Sequence, residues 1–239
     1  MFELNKVYNM NCIDGMRDIP ENFIDLIVTD PPYLINYHTN RRKDKTHDFC
    51  TPIQNDNNPQ LIADYIKECY RIMKPNTAMY MFCNSEKVDF FKQELEKYFE
   101  IKNMIIWVKN NHTAGDLDAA FGKTYEIIFL VNKGRCLYNG NRIEDVWYFD
   151  KVSGKDLIHQ NQKPLPLIMQ CIEKHSKVND IVFDGFMGSG QTAFGSIELN
   201  RRFLGFELEE FYCNQSNETI KNKLCNKNSK NEDSEMDLF

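Results

Sequence analysis

The stretch Ile181-Val182-Phe183-Asp184-Gly185-Phe186-Met187-Gly188-Ser189-Gly190-Gln191-Thr192 reads as a strand, a glycine-rich turn and the start of a helix. Its glycines free the backbone from side-chain sterics, so N–H groups can approach a ligand, and the helix N-terminus beyond them favours a negative group. Alone, such a turn is also read as a tight turn and nothing more. Further on, Arg202-Phe203-Leu204-Gly205-Phe206 forms a second strand that closes on Glu207. An acid at that point of a strand–turn–helix–strand unit is set to bind the two hydroxyls of a ribose. Together the two features specify a nucleoside ligand and an α/β fold.

Working outward, Ile24-Asp25-Leu26-Ile27-Val28-Thr29 is a short β-branched run stopped by Asp30-Pro31-Pro32-Tyr33, where proline ends any ladder. It reads as a buried parallel strand. A helix over Pro59 to Met73 carries Leu61, Ile62, Tyr65, Ile66, Cys69 and Tyr70 at helical spacing and feeds a strand at Thr77 to Phe82. Then come a helix near Ser85 to Tyr98, strands at Ile101 to Val108 and Tyr125 to Val131, and a helix at Leu165 to His175. After the strand at Asp180 to Phe183 follow a helix from Gln191 to Leu199, the strand at Arg202 to Phe206 and a helix to about Lys223. Alternation of this kind predicts a parallel or mixed sheet covered on both faces, with an antiparallel pair where no helix separates Val108 from Tyr125. The span 38–58 is polar and aperiodic and reads as a long mobile loop. Residues 1–225 are expected to form one domain, and the polar stretch 226–239 a disordered tail.

Of 239 residues 42% are hydrophobic and 27% charged, a globular balance, and no apolar run approaches the ~20 residues of a membrane span. The first residues, Met1-Phe2-Glu3-Leu4-Asn5-Lys6-Val7, lack a basic segment followed by an apolar core, so a cytoplasmic chain is expected. Eight cysteines without Cys-x-x-Cys or a nearby His predict reduced core residues and no metal site. A net charge of −6 excludes a surface that coats nucleic acid all over and leaves room for a local basic patch.

Asp30-Pro31-Pro32-Tyr33 is the stronger chemical clue. An exocyclic amino group on a nucleobase is a poor nucleophile because its lone pair is delocalised into the ring. Two acceptors gripping both N–H bonds would localise that pair. Asp30 offers a carboxylate, the prolines aim backbone carbonyls into a cleft, and Tyr33 offers a ring to stack on a planar base.

These residues resemble the amino-group DNA methyltransferases that use S-adenosylmethionine to make N6-methyladenine or N4-methylcytosine. Asp30-Pro31-Pro32-Tyr33 is similar to their catalytic motif, and Phe183 to Gly190 to their cofactor motif; the catalytic motif comes first, as in the β group. The segment Ile158-His159-Gln160-Asn161-Gln162-Lys163-Pro164 resembles a further motif usually written His-Pro-x-Gln-Lys-Pro. Trp107-Val108-Lys109 and Tyr125-Glu126 are similar to the family's central strands. Three positions depart from the pattern: Gln160 replaces Pro, Gln191 replaces Thr and Asn11 replaces Asp.

The resemblance implies a Rossmann-like methyltransferase fold, a mixed seven-stranded sheet with one antiparallel strand and helices on both faces. It implies site-specific methylation of adenine N6 in a flipped DNA base, with cytosine N4 as the alternative. Asp30, Pro31, Pro32 and Tyr33 would be catalytic, and no metal or covalent enzyme intermediate would be needed. The cofactor would be held by Asn11, Cys12, Lys163, Phe183, Asp184, Phe186, Gly188, Ser189, Gly190, Thr192 and Glu207, with Lys163 meeting its carboxylate. Arg41, Arg42, Lys43 and Lys45 read either as a solvated charged loop or, favoured because a negative chain has few other concentrated basic sites, as contacts to DNA phosphates; the resemblance makes 109–158 the region that reads sequence. A homodimer and a cognate restriction endonuclease are compatible partners. Rival readings are a dinucleotide oxidoreductase, which would want its Gly-x-Gly-x-x-Gly after the first strand; a protein or RNA methyltransferase, which usually has Asn at position 30; and a DNA-binding module without catalysis.

Overall fold

The computed structural model describes residues 2–35, 56–112, 118–152 and 162–236. Their order is β1 (Lys6–Asn9), α1 (Cys12–Arg17), β2 (Ile24–Thr29), α2 (Pro59–Ile72), β3 (Met73–Cys83), α3 (Val88–Glu96), β4 (Glu100–Val108) and β5 (Tyr125–Lys133). Then follow β6 (Val146–Tyr148), α4 (Leu165–His175), β7 (Ile181–Asp184), α5 (Gln191–Glu198), β8 (Arg202–Glu207) and α6 (Glu210–Met236). The strands form one sheet in the order β1-β8-β7-β2-β3-β5-β4-β6. Among the described residues only β5 runs against its neighbours, antiparallel to both β3 and β4.

Side-chain alternation explains why the sheet is covered twice. In β3, Met79, Met81 and Cys83 enter one core with Tyr65, Ile66 and Cys69 of α2 and with Phe91 and Leu95 of α3. The alternate residues Ala78, Tyr80 and Phe82 face α4, where Leu167, Ile168, Cys171 and Ile172 close the other side. Each large side chain withdrawn from water contributes about 1.5–3 kcal/mol, so neither face is left exposed. A third cluster seats α5 and α6 on β1 and β8 through Ala193, Phe194, Ile197, Cys213 and Ile220. The start of α2 is fixed locally: the Asn58 side chain accepts a hydrogen bond from Leu61 N at 3.1 Å, and Pro59 occupies the first turn.

Three sequence expectations are corrected. Among the described residues the sheet has eight strands, where seven were expected. The added β6 is three residues long and pairs only with β4, too short to leave a periodic signature. β1 and α1 likewise escape a pattern search because each spans about one turn or one pleat pair. The last helix does not stop near Lys223 but continues to Met236, so 226–236 is helical. That stretch contains neither Gly nor Pro to end it, and the Lys227 ammonium donates to the Ile197 carbonyl at its beginning. The expected loop at 38–58 falls outside the described residues except for its last three, of which Asp56 is buried and accepts from Leu34 N at 2.8 Å.

Candidate active site

The chain leaves β2 toward β3 in one direction along the sheet and leaves β7 toward β8 in the other, so the connections diverge between β2 and β7. Such a switch point opens a crevice at the carboxyl ends of the strands. Here the crevice is a cleft of about 670 Å³, with Asp30 following β2 and Asp184 ending β7 on its floor.

Asp184, 4% exposed, anchors the glycine loop. Its Oδ1 accepts from the Thr29 hydroxyl and from Phe186 N, both at 3.0 Å, and its Oδ2 accepts from the Thr192 hydroxyl at 2.8 Å. Because Thr29 spends its proton on Asp184, the Tyr65 hydroxyl donates to Thr29 across 2.9 Å and accepts from Gly185 N at 3.1 Å. Burial pushes the Asp184 carboxyl up to about 7, against the pull of the Phe186 amide and the two hydroxyls. On the other side of the loop, Glu207 at the end of β8 accepts from Gly188 N at 2.7 Å and Glu209 N at 2.8 Å. Burial raises its carboxyl as well, and those amides oppose the rise. Gly190, at φ +89°, adopts a backbone closed to most side chains and turns the loop into α5.

Across the cleft lies a cluster of charges. Asp30 Oδ1 accepts from the Tyr33 hydroxyl at 2.5 Å and Oδ2 from the Lys163 ammonium at 2.6 Å. Lys163 also stands 3.3 Å from Glu126 Oε2, and Lys109 holds Glu126 Oε1 at 3.1 Å. Burial drives the Asp30 carboxyl up more than Lys163 draws it down. For Glu126 burial acts in the same upward sense, but Lys163 and Lys109 together hold it below the usual carboxylate range. The Lys163 side chain is only 7% exposed; burial lowers its ammonium, and the two carboxylates more than compensate. Burial and the two nearby carboxylates put the Tyr33 phenol well above its ordinary range, so it is a donor.

Most expected site residues converge on this cleft: Asn11, Cys12, Asp30, Pro31, Pro32, Tyr33, Lys163, Asp184, Phe186, Gly188, Ser189, Thr192 and Glu207 all line it. Asn11 does so while capping α1, its side chain accepting from Ile13 N at 2.9 Å. Phe183 is a correction. Strand alternation turns it away from the cleft into the core, fully buried with its ring 5.6 Å from that of Phe206. Lys163 is a second correction, since its ammonium is committed to Asp30 and Glu126 instead of being presented to a cofactor carboxylate. Arg41, Arg42, Lys43 and Lys45 lie outside the described residues, as do 113–117 and 153–158 of the expected reading region. Sequence reasoning passed over Glu126 and Lys109 as site residues. The signal was present, because Glu126 stands second in its strand, directly ahead of the apolar run Ile127 to Val131, and a buried carboxylate needs a cation beside it.

The cleft suits a nucleoside that also carries positive charge. An added Cβ at Gly188 would meet only the Phe186 carbonyl at 3.9 Å, so the loop leaves open space there. Asp184 and Glu207 bring two carboxylates that burial makes costly to ionise alone, and a cationic amino acid moiety with ribose hydroxyls would relieve both. The residues of the cleft therefore fit S-adenosylmethionine.

Comparison with known proteins agrees. The N6/N4 family model, described as a DNA methylase, matches residues 24–218. The type II methyltransferase M.BglII of Bacillus subtilis is 30% identical over 87% of this chain and 67% of its own length. Among solved structures, the M1.HpyAVI–SAM complex superposes with a TM-score of 0.66 at 26% identity, covering 90% of this chain and 98% of the other. PvuII DNA methyltransferase, cytosine-N4-specific, shares the fold alone: TM-score 0.70 at 13% identity over 91% of this chain and 90% of that one. A motif order with Asp30 ahead of the glycine loop, a cleft built for S-adenosylmethionine and a family match over most of the chain lead to one conclusion: the protein belongs to the N6/N4 DNA methylases, as a β-group S-adenosylmethionine-dependent amino-methyltransferase.

Proposed function

We propose that the chain is a site-specific DNA adenine methyltransferase acting on N6 of a base flipped out of the duplex. The observation that carries the reading is the position of Asp30, an acceptor at the switch point of the sheet, one strand away from the loop that suits the cofactor. Bound S-adenosylmethionine would supply an electrophilic methyl group on its sulfonium. The chain's own residues would prepare the nucleophile. The Asp30 carboxylate and the Pro31 carbonyl would accept the two N–H bonds of the amino group and localise its lone pair, and the Tyr33 ring would stack on the base. As the new N–C bond forms one N–H proton must leave, and Asp30 is the base within reach. No covalent link to the enzyme is required.

Adenine is favoured over cytosine by Asp at position 30, which resembles adenine-modifying members of the β order, whereas cytosine-modifying members of that order more often carry Ser. Arg41, Arg42, Lys43 and Lys45 would contact phosphates, and the region 109–158 would read the target sequence. A second copy of the chain and a cognate endonuclease are the partners that belong to this reading. Incubation with labelled S-adenosylmethionine and DNA, followed by mass spectrometry of the digested nucleosides, tests it. N6-methyladenine is the expected product. N4-methylcytosine alone would overturn the adenine assignment, and unlabelled DNA would overturn the reaction.

A further inference from the structure

Asp30 has both oxygens engaged before any substrate arrives, Oδ1 by the Tyr33 hydroxyl at 2.5 Å and Oδ2 by the Lys163 ammonium at 2.6 Å. Each oxygen keeps a second lone pair, but a phenol and an ammonium already draw on the charge of this carboxylate, so it grips a target amino group most strongly when one of those donors withdraws. Stripping a buried ammonium of its partner is strongly unfavourable. The surroundings remove that obstacle in a specific manner. One oxygen, Glu126 Oε2, lies 3.1 Å from the Tyr33 hydroxyl and 3.3 Å from the Lys163 ammonium. The other oxygen of the same carboxylate is pinned by Lys109 at 3.1 Å, so Oε2 is held in place. Two lysines and two carboxylates make the set formally neutral, and it stays neutral whichever acid Lys163 favours.

We propose that Glu126 is a positioning residue for methyl transfer: it is the second seat for both donors that cap Asp30, and it receives them when the target amino group enters. The proposal rests on the assignment of Asp30 as acceptor for that amino group. The exchange forms and breaks hydrogen bonds only. Lys163 shifts its weight from Asp30 Oδ2 to Glu126 Oε2, Tyr33 follows or remains on Oδ1, and the freed lone pair on Asp30 accepts the base N–H. Lys109 keeps Glu126 from following Lys163 toward Asp30. The charged and titratable groups around Asp30 are Lys163 from the segment before α4, Tyr33 from its own loop, Glu126 from β5, Lys109 after β4, Cys83 from β3 and Asp184 from β7.

The test is a double-mutant cycle on the full chain with Glu126→Gln, Lys163→Gln and both together, read by single-turnover methylation at saturating DNA and cofactor. In Glu126→Gln the neutral amide is a poor seat for an ammonium, so Lys163 stays on Asp30 and the rate falls about tenfold or more, equivalent to at least 1.4 kcal/mol in the barrier. S-adenosylmethionine affinity, measured by calorimetry, stays within about threefold, well under 1 kcal/mol. Loss of one negative neighbour also moves the acid limb of the pH–rate profile to lower pH, a shift that a purely structural role would not produce. Removing Lys163 as well takes away the group that needs reseating, so the double variant regains rate over Glu126→Gln, and its acid limb moves back up. Should Glu126→Gln fail to fold, Glu126→Asp keeps the charge but withdraws the seat, and slowed transfer at unchanged cofactor affinity is expected. Wild-type rate and profile in the folded variants, or a double variant no faster than Glu126→Gln, would overturn this inference alone. A wild-type enzyme that transfers nothing to DNA would overturn the assigned reaction and this inference with it.

Discussion

Replacing Gly190 with Ala strikes the turn on which the cofactor loop depends, and the neighbouring Gly188 provides an internal control. At Gly190 the backbone has φ +89°, where an L residue costs roughly 1–2 kcal/mol. A Cβ there would also approach Phe194 Cζ to 2.9 Å and Ser216 Oγ to 3.1 Å. The Phe194 ring belongs to the cluster that seats α5, so it cannot retreat freely, and overpacking of this kind adds about 1–3 kcal/mol. The sum is about 2–5 kcal/mol, or roughly 4–20 °C in melting temperature for a chain of this size. Gly188, at φ +51°, meets only the Phe186 carbonyl at 3.9 Å. Its substitution should cost the backbone penalty alone, roughly 1–2 kcal/mol. Denaturant unfolding of the two variants beside the wild type measures the difference directly, provided the transitions are two-state. Equal losses at the two sites, or a loss under about 1 kcal/mol at Gly190, would refute the steric part of the reasoning.

Asp30→Ala should abolish methyl transfer while leaving S-adenosylmethionine affinity within about tenfold, or 1.4 kcal/mol, by calorimetry; a variant that still methylated DNA near the wild-type rate would remove Asp30 from the chemistry. Glu207→Ala should weaken the cofactor by roughly 1.5–3 kcal/mol for each charge-assisted hydrogen bond lost, and unchanged affinity would move the ribose contact to Glu209. For Asp184 the native carboxyl titrates at about 7 against an ordinary 3.8, so between those values the native state holds a proton that the unfolded state has released. Stability should then fall as pH rises through that window, less steeply in Asp184→Asn, as chemical unfolding at pH 5 and pH 8 would show; parallel slopes would contradict the raised value. Changing Arg41 and Arg42 to Ala should flatten the plot of log DNA affinity against log salt by about 2, and an unaltered slope would remove them from the phosphate contacts.

The fold was legible where a chemical period or a breaker marks the chain. The helix Leu165–His175 is found at its expected ends because Pro164 precedes it and its apolar stripe is dense. β2 ends where Pro31 forbids a ladder. What escaped is what burial decides after the fact. β6 exists because Val146, Trp147 and Tyr148 find β4 beside them, and three residues have no period. The end of α6 was misjudged because a polar composition was read as disorder, although nothing in 226–236 interrupts a helix. Phe183 is expected at the cofactor because it opens the segment that resembles the family's cofactor motif, yet along a strand adjacent side chains point to opposite faces, and its ring lies in the core.

The active cluster shows the same limit from the other side. Asp30, Glu126 and Lys163 are far apart in the chain, and each taken singly has an ordinary reading: an acid after a strand, an acid near the start of a strand, a lysine before a proline. Their proximity follows from the sheet order, which puts β2 and β5 on either side of β3, with α4 packed across that face. Once the order is known, charge accounting supplies the rest. A carboxylate at the mouth of β2 inside an apolar fold must find a cation, and Lys163 is the nearest one. Yet with a single lysine the ammonium would draw on the charge of Asp30 throughout. A second carboxylate within 3.3 Å of the same ammonium turns a fixed pair into an exchangeable one, and Lys109 balances the added charge. An acceptor that must stay paired while idle and be free to accept in use therefore needs this larger set of groups, and the two residues passed over in the sequence are the ones that complete it.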